Sequence, residues 1–173
     1  MSLLPAWREE PISRRHDRNA FDCGDADLND YLKRHARRNH ESGGSKTFVA
    51  ILAADGRTVL GFYSLSPASI SYVRTPVLVR RGLGRYDVPV IRLARLAVGQ
   101  PVQGQGLGGQ LLLAAGRRCL LVAAEVGGVA LLIDAKSEQA AAWCAGFGAV
   151  PLLDTPLSLL LPLATVERAL EGE

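Results

Sequence analysis

The fold is decided by residues 92–116, which read RLARLAVGQPVQGQGLGGQLLLAAG. Within this stretch, an apolar run from Leu93 to Val98 is typical of a β-strand, and four glycines follow it between residues 104 and 109. Apolar residues then recur with helical spacing from Gly106 to Ala124. A strand, a glycine-rich loop and a helix amino terminus together predict a site for a phosphate-bearing ligand, because unpaired N–H groups and the helix dipole attract anions.

The glycine loop has four interpretations. The triphosphate-binding loop needs a lysine after its last glycine, and no glycine in this loop is followed by lysine, which excludes it. The dinucleotide fingerprint Gly-x-Gly-x-x-Gly is matched by Gly104, Gly106 and Gly109, but intervening residues separate it from its strand. The pattern Gln/Arg-x-x-Gly-x-Gly/Ala is matched by Gln103, Gly106 and Gly108. In the fourth interpretation, the glycines only turn the chain.

Other motifs accompany the loop in a fixed order. They are Phe21-Asp22-Cys23-Gly24, Leu28-Asn29-Asp30-Tyr31-Leu32, Gly61-Phe62-Tyr63-Ser64-Leu65-Ser66, Leu93-Ala94-Arg95-Leu96-Ala97-Val98, Asp134-Ala135-Lys136, Ala140 and Phe147-Gly148. With the third loop pattern, they resemble the GCN5-related N-acetyltransferase (GNAT) superfamily from Phe21 to Ala149. Within it, the chain is similar to the acetyltransferase toxins of bacterial type II toxin–antitoxin systems, which acetylate the amino group of aminoacyl-tRNA and so block translation.

The resemblance implies an α/β fold: a single GNAT domain over residues 1–173, with a central mixed, mostly antiparallel β-sheet flanked by helices. It implies acetyl-CoA as cosubstrate, without a metal, and aminoacyl-tRNA as acceptor. A ribbon-helix-helix antitoxin and a homodimer are the further partners that it implies. The residues expected to bind acetyl-CoA are Leu96, Ala97, Val98, Gln103, Gly104, Gln105, Gly106, Leu107, Gly108, Gly109, Ser137 and Ala140.

Two other functions stay open. One is acetylation of an amine on a peptide, a protein or a small molecule. The other is a catalytically weak CoA-binding protein that acts through a partner. An α-amine titrates near 8, roughly two units below a lysine side chain, so an α-amine acceptor has less need of a strong general base.

The resemblance also indicates where a proton donor for the departing CoA thiolate would lie. The family commonly uses a tyrosine on a short helix, four residues after an alanine and four before a glycine. Ala140 and Gly148 fix that register here, and the residue between them is Cys144. A thiol can donate a proton, but a buried cysteine is also a small apolar residue. Tyr63 is the alternative donor, and a packed strand aromatic is its other interpretation.

Positive charge is clustered, although the formal net charge is only +3. The densest group consists of Lys33, Arg34, Arg37 and Arg38. These residues form either the solvated face of a helix or, with the family resemblance, a surface that binds tRNA phosphates. The histidines at positions 16, 35 and 40 do not stand at a spacing that would place a catalytic partner beside them. We expect them at the surface rather than as catalytic bases.

Composition limits the class of protein. A chain of 173 residues with 48% hydrophobic residues is most simply one domain with a real core. Three widely spaced cysteines and three histidines argue against a zinc site and suit reduced thiols in a cytoplasm. We expect no membrane span, because the apolar stretch from Cys119 to Ile133 is short and contains Glu125.

The pattern also predicts elements outside the loop. A strand is expected to begin within residues 14–21, and one helix is expected from a cap at Asp25 to a stop at Gly43. Asp55-Gly56 predicts a hairpin. Short helical and strand patterns follow the glycine loop, which gives alternating elements of an α/β domain.

Overall fold

The computed structural model describes residues 3–172. Its helices are α1 (Ala26–Arg34), α2 (Ala36–Ser42), α3 (Val77–Arg80), α4 (Leu107–Val126), α5 (Glu138–Ala145) and α6 (Leu163–Glu171). Its strands are β1 (Trp7–Pro11), β2 (Lys46–Leu52), β3 (Val59–Ile70), β4 (Val88–Val98), β5 (Ala130–Asp134), β6 (Val150–Pro151) and β7 (Ser158–Pro162). A short 3₁₀ turn at Gln100–Val102 leads from β4 into the glycine loop.

The strands form a seven-stranded sheet in the order β1-β2-β3-β4-β5-β7-β6. The pairs β1–β2, β2–β3, β5–β7 and β6–β7 are antiparallel, whereas β4 and β5 are parallel and are connected in the chain through α4. A parallel pair requires such a crossover, which the long helix supplies. The mixed, mostly antiparallel sheet confirms the predicted fold class.

The chain comprises two compact units. The first consists of the chain up to Ser66 together with Ala94–Leu112, and its core packs Phe21, Tyr31 and Phe62. Their rings lie 5.6 Å (Phe21–Phe62) and 6.4 Å (Tyr31–Phe62) apart. The glycine loop and the end of β4 therefore belong to a unit with an aromatic core.

The second unit consists of Pro67–Leu93 and the chain from Leu113 onward. Its core is aliphatic, with Val90, Leu132 and Leu160 buried together. A single domain over all 173 residues stays a prediction.

The first strand lies earlier than the pattern predicts. β1 pairs with β2 so that Trp7 is opposite Leu52, and the strand expected within residues 14–21 is wrong. The ring of His16 accounts for the difference, because its Nδ1 accepts the Ser13 N–H at 3.1 Å and closes a turn. The backbone leaves the sheet at that turn.

His16 is buried, so the expected surface position is wrong for this residue. Because Nδ1 accepts a backbone N–H, the ring proton is on Nε2, which lies 2.9 Å from Oε1 of Glu10. Hydrogen bonds from His16 and then from Arg8, with Arg15 nearby, lower the pKa of Glu10 to about 2. Sequence spacing missed this pair because its members lie on a strand and a turn.

The basic segment forms two helices rather than one. Asp25 caps α1 as predicted, since its carboxylate accepts the N–H groups of Asp27 and Leu28. The single helix expected up to Gly43 is wrong, because α1 ends at Arg34 and α2 begins after His35. Fully buried Ala36 fixes the start of α2 against the core, and tertiary packing of this kind overrides local helical propensity.

Helix α4 is long and apolar enough to cross a membrane by length and composition alone. Its residues Leu111, Ala115 and Cys119 are fully buried in the described structure, and Gly116 approaches the side chain of Val166. The core helix of a folded domain can have the same length and composition, so α4 is only weak evidence for a membrane span.

Candidate active site

The end of β4 comes close to β3. A Cβ on Gly61 would lie 2.8 Å from the carbonyl oxygen of Ala97, so this approach requires glycine on β3. Beyond the strand, the Gly99 N–H donates to the carbonyl of Leu60 at 2.8 Å. These contacts fix the backbone that leads into the glycine loop.

Strand β4 extends past its parallel register with β5. The register joins Ile91–Leu93 to Leu131–Ile133, and β4 continues to Val98. Leu96, Ala97 and Val98 are the last three residues of this extension. A strand end of this kind can bind an extended, peptide-like group by strand addition.

The side chain of Gln103 ties the entrance of the loop to its surroundings. Its amide nitrogen donates to the carbonyl oxygens of Val98 and Cys23, both at 2.9 Å. One amide thus joins the end of β4, the loop and the segment before α1. The glutamine is therefore well placed to set the shape of the loop.

Two loop glycines have a backbone conformation that other residues rarely adopt. Gly104 has a φ of 80° and Gly106 a φ of 90°, with Gln105 between them. A Cβ at either glycine would meet no atom of the described structure within 4 Å. The loop backbone therefore faces open space, where an anion can approach its N–H groups closely.

Helix α4 begins directly after this loop. Leu107 is buried and anchors the first turn, which also contains Gly108 and Gly109. The first N–H groups of a helix have no partner within it, so they are available to a ligand together with the positive end of the dipole. Trp7 Nε1 donates to the side chain of Gln110 at 3.1 Å and braces this turn.

Helix α5 carries the residue in the register of the family tyrosine. Ser137 is the N-cap of α5, and its hydroxyl oxygen accepts a hydrogen bond from the Ala140 N–H at 3.1 Å. Cys144 is 4% exposed, and it is the buried residue of a helix whose other side chains are largely accessible. Burial raises the pKa of the Cys144 thiol, which keeps it protonated at neutral pH.

Tyr63 lies inside the first unit. Its ring is fully buried, 5.5 Å from the ring of Phe48, and its hydroxyl donates to Glu9 at 2.5 Å. A phenol held by a carboxylate must break that bond before it can protonate another group. This geometry favours the packed-aromatic interpretation.

The four basic residues differ in their surroundings. Arg34 is 75% exposed and pairs with Asp30 at 2.9 Å, whereas Arg37 is 25% exposed and pairs with Glu41 at 2.9 Å. Arg38 is exposed, and Lys33 is partly exposed near the end of α1. Arg18 donates to the carbonyl oxygen of Lys33 at 3.2 Å and closes the end of that helix.

An arginine that sequence spacing missed lies on β4 itself. The guanidinium carbon of Arg95 is 3.6 Å from the centre of the Tyr31 ring. The available signal was a charged residue within the otherwise apolar motif Leu93-Ala94-Arg95-Leu96-Ala97-Val98. Across residues 3–172, no group of three or more His, Cys, Asp or Glu side chains is arranged to hold a metal ion.

Comparisons with known proteins identify the family. A tRNA-acetylating toxin from Mycobacterium tuberculosis is 41% identical over 162 residues, which cover 94% of this chain and 95% of that protein. The chain belongs to the family of GNAT tRNA-acetylating toxins. The resemblance drawn from the motifs is thereby confirmed. No protein-family model matches the chain.

Solved structures agree with this assignment to the tRNA-acetylating toxins. AtaT complexed with acetyl-methionyl-tRNAfMet superposes with a TM-score of 0.88 at 25% identity, covering 95% of this chain and 99% of that one. A tyrosine-to-phenylalanine mutant of AtaT, bound to the C-terminus of the antitoxin AtaR and acetyl-CoA, superposes with a TM-score of 0.80 at 26% identity. That superposition covers 95% of this chain and 98% of the AtaT chain.

We expect Cys144→Ala to change stability more than rate. Removal of a buried sulfur should lower the melting temperature by a few degrees, about 1 kcal/mol, while kcat stays within about twofold of wild type. An ordinary thiol has a pKa near 8.5, so its thiolate is a good leaving group and needs no strong acid to protonate it as it departs. Melting curves and initial rates at saturating acetyl-CoA measure the two effects.

The matched control is Cys119→Ala, which removes a second buried thiol, one whose pKa burial raises to about 12. Both variants should lose stability and keep kcat. A fall in kcat of about 100-fold for Cys144→Ala alone, with acetyl-CoA affinity intact, would instead identify Cys144 as the general acid.

Proposed function

We propose that this protein transfers the acetyl group of acetyl-CoA to the α-amino group of aminoacyl-tRNA. In this proposal it is a toxin that blocks translation and is neutralised by an antitoxin of the ribbon-helix-helix class. The single observation that carries the proposal is 41% identity to a tRNA-acetylating toxin across nearly all of both chains.

Acetyl-CoA fits the loop and strand described above. Backbone N–H groups from Gly104 to Gly109 would hold its pyrophosphate, and Leu96–Val98 would pair with the pantetheine arm. Contacts of acetyl-CoA with Ser137 and Ala140, which the family resemblance implies, stay predictions. The open space over Gly104 and Gly106 supports this assignment, because a Cβ there would occupy the volume that a phosphate needs.

The bound thioester supplies an activated acetyl group, and the protein must orient it and stabilise charge. A backbone N–H at the end of β4 would polarise the thioester carbonyl as an oxyanion-type donor. The neutral amine attacks the carbonyl carbon and a C–N bond forms. The C–S bond breaks with its electron pair on the CoA sulfur, and the amine proton passes to solvent. An α-amine near pKa 8 is partly neutral at pH 7, so position contributes more than a strong base.

The proton donor for the CoA thiolate has two candidates, Cys144 and Tyr63. Cys144 carries a proton at neutral pH because burial raises its pKa, whereas the hydroxyl of Tyr63 already donates to Glu9. We propose that neither is required, and that the thiolate leaves with the assistance of solvent. The Cys144→Ala variant tests this for the thiol, and a further Tyr63→Phe change tests it for the phenol; kcat should stay close to that of wild type in both.

The proposal extends to location and assembly. A reducing cytoplasm suits Cys23, Cys119 and Cys144, which are free thiols. A homodimer would follow the family, and size-exclusion chromatography with light scattering tests it.

The experiment is an acetyl-transfer assay with radiolabelled acetyl-CoA and a pool of aminoacyl-tRNAs. We expect label on aminoacyl-tRNA and none on the same tRNA after deacylation, because the uncharged form lacks the α-amine. Labelling of peptide or protein amines with aminoacyl-tRNA left unlabelled would favour the other acetyltransferase. Acetyl-CoA binding without transfer to any acceptor would favour the partner-binding protein.

A further inference from the structure

Arg95 is a half-buried cation that makes no ion pair with a carboxylate among residues 3–172. It lies on β4, and the structure gives it intermediate exposure. Its guanidinium carbon lies 3.6 Å from the centre of the Tyr31 ring. Several other arginines do pair with carboxylates: Arg8 and Arg15 with Glu10, Arg34 with Asp30, Arg37 with Glu41, Arg74 with Asp154 and Arg92 with Asp134.

The Tyr31 ring is a fixed platform for this cation. It is 5% exposed, it packs against Phe62, and its hydroxyl lies 3.0 Å from the hydroxyl of Ser45. A guanidinium that stacks on a ring uses its face, while its N–H donors point outward in its plane. Stacking therefore orients Arg95 and leaves its donor edge for bidentate binding of an anion.

The position of Arg95 narrows the source of that anion. Arg95 directly precedes Leu96–Val98, about 3–10 Å along the strand from the segment proposed to bind pantetheine. Side chains alternate along a strand, so Arg95 and Ala97 share one face, and Ala97 packs in the same core cluster as Tyr31 and residues of α1. Arg95 is therefore on the face of β4 that α1 covers, and α1 ends in Lys33 and Arg34.

We propose that Arg95 binds a backbone phosphate near the 3′ end of the acceptor RNA and thereby positions the aminoacyl group at the end of β4. The ligand class is a phosphate diester, which a planar guanidinium binds with two parallel hydrogen bonds. The phosphates of CoA are assigned to the glycine loop instead. This inference rests on the proposed function, because it requires an RNA acceptor.

The test compares Arg95→Gln and Arg95→Lys with wild type on aminoacyl-tRNA, with Arg57→Gln as the matched control. Arg57 is an exposed arginine in the β2–β3 turn, so its loss removes the same charge away from β4. We expect Arg95→Gln to lower kcat/KM for aminoacyl-tRNA about 10- to 100-fold, mainly through KM. Arg95→Lys should recover part of this loss, because lysine keeps the charge without the planar fork.

Two further measurements separate phosphate binding from other roles. The Kd of acetyl-CoA should stay within about twofold of wild type in every variant. Activity on an aminoacyl-adenosine without phosphate, carrying the amino acid that wild type acetylates, should be the same for Arg95→Gln and wild type. Melting curves report the fold, and if the glutamine variant does not fold, the lysine variant carries the comparison.

Several outcomes would overturn the inference. They are an unchanged kcat/KM for aminoacyl-tRNA, a matching loss of acetyl-CoA affinity, or an equal loss of activity on the phosphate-free acceptor. If wild type acetylates no aminoacyl-tRNA at all, the proposed function fails. If wild type does and Arg95→Gln does equally well, only the role of Arg95 fails.

Discussion

Replacement of Gly106 by valine is expected to abolish the stabilisation that acetyl-CoA gives this protein. A ligand at about 100 times its Kd stabilises the folded state by about 2.7 kcal/mol, which raises the melting temperature of a domain of this size by about 5–10 °C. Gly106 has a φ of 90°, and a β-branched residue would both strain that backbone and fill the space above the loop. Melting curves with and without acetyl-CoA measure the difference.

The control is Gly127→Val, at the opposite end of α4. Gly127 has a φ of 95° and, like Gly106, has open space where a Cβ would lie. Both variants should lose about 1–3 kcal/mol from backbone strain, but only Gly106→Val should lose the response to acetyl-CoA. A normal acetyl-CoA shift in Gly106→Val would remove this loop from the binding site. Equal stabilisation of wild type by NAD, with none by acetyl-CoA, would favour the dinucleotide interpretation.

The double variant Arg34→Glu with Arg38→Glu is expected to lower kcat/KM for aminoacyl-tRNA by about 100-fold. Both side chains are exposed at the junction of α1 and α2. If they bind tRNA phosphates as we propose, charge reversal replaces two attractive contacts by repulsion. Arg37 is left unchanged because it is mostly covered and pairs with Glu41. Steady-state rates on aminoacyl-tRNA at low salt measure the effect.

The matched control is Arg57→Glu with Arg168→Glu, which makes the same change in net charge at two exposed arginines elsewhere. It should retain most of the activity. For wild type, KM for aminoacyl-tRNA should rise steeply with added salt, and the slope should be shallower in the Arg34/Arg38 variant. Equal activity of the two double variants would indicate that the α1–α2 junction does not bind tRNA and is only a solvated surface.

Local patterns predicted the elements that carry their own signals. Asp25 caps α1, Asp55-Gly56 lies at the turn between β2 and β3, and the glycine loop joins β4 to α4. Each of these depends on a residue type with a direct backbone consequence, such as a capping carboxylate or a glycine with positive φ. The short strand β6 and the break at His35 carry no such signal and were missed.

The sequence predicted the part of the candidate site that depends on backbone conformation, which is the glycine loop. It did not predict the burial or the hydrogen-bond partners of the candidate side chains. Cys144 was predicted as a candidate donor from its spacing to Ala140 and Gly148. Its burial depends on how α5 packs, which the sequence does not give. Tyr63 stays a candidate donor, and its hydrogen bond to Glu9, which lies 54 residues earlier in the chain, could not be predicted from the local pattern. His16 was expected at the surface because its carboxylate partner lies on a strand that was predicted in another place.

By itself, the sequence determined the strand–loop–helix unit, the family and the chemistry expected of it, because glycine spacing and apolar periodicity act within a few residues. Only the tertiary structure decided which charged groups are neutralised and which stay available. Arg74 meets the carboxylate of Asp154, 80 positions later in the chain, whereas Arg95 meets the Tyr31 ring, 64 positions earlier. The physical reason is that burial and ion pairing depend on distances in space, which the folded chain sets and the local pattern does not.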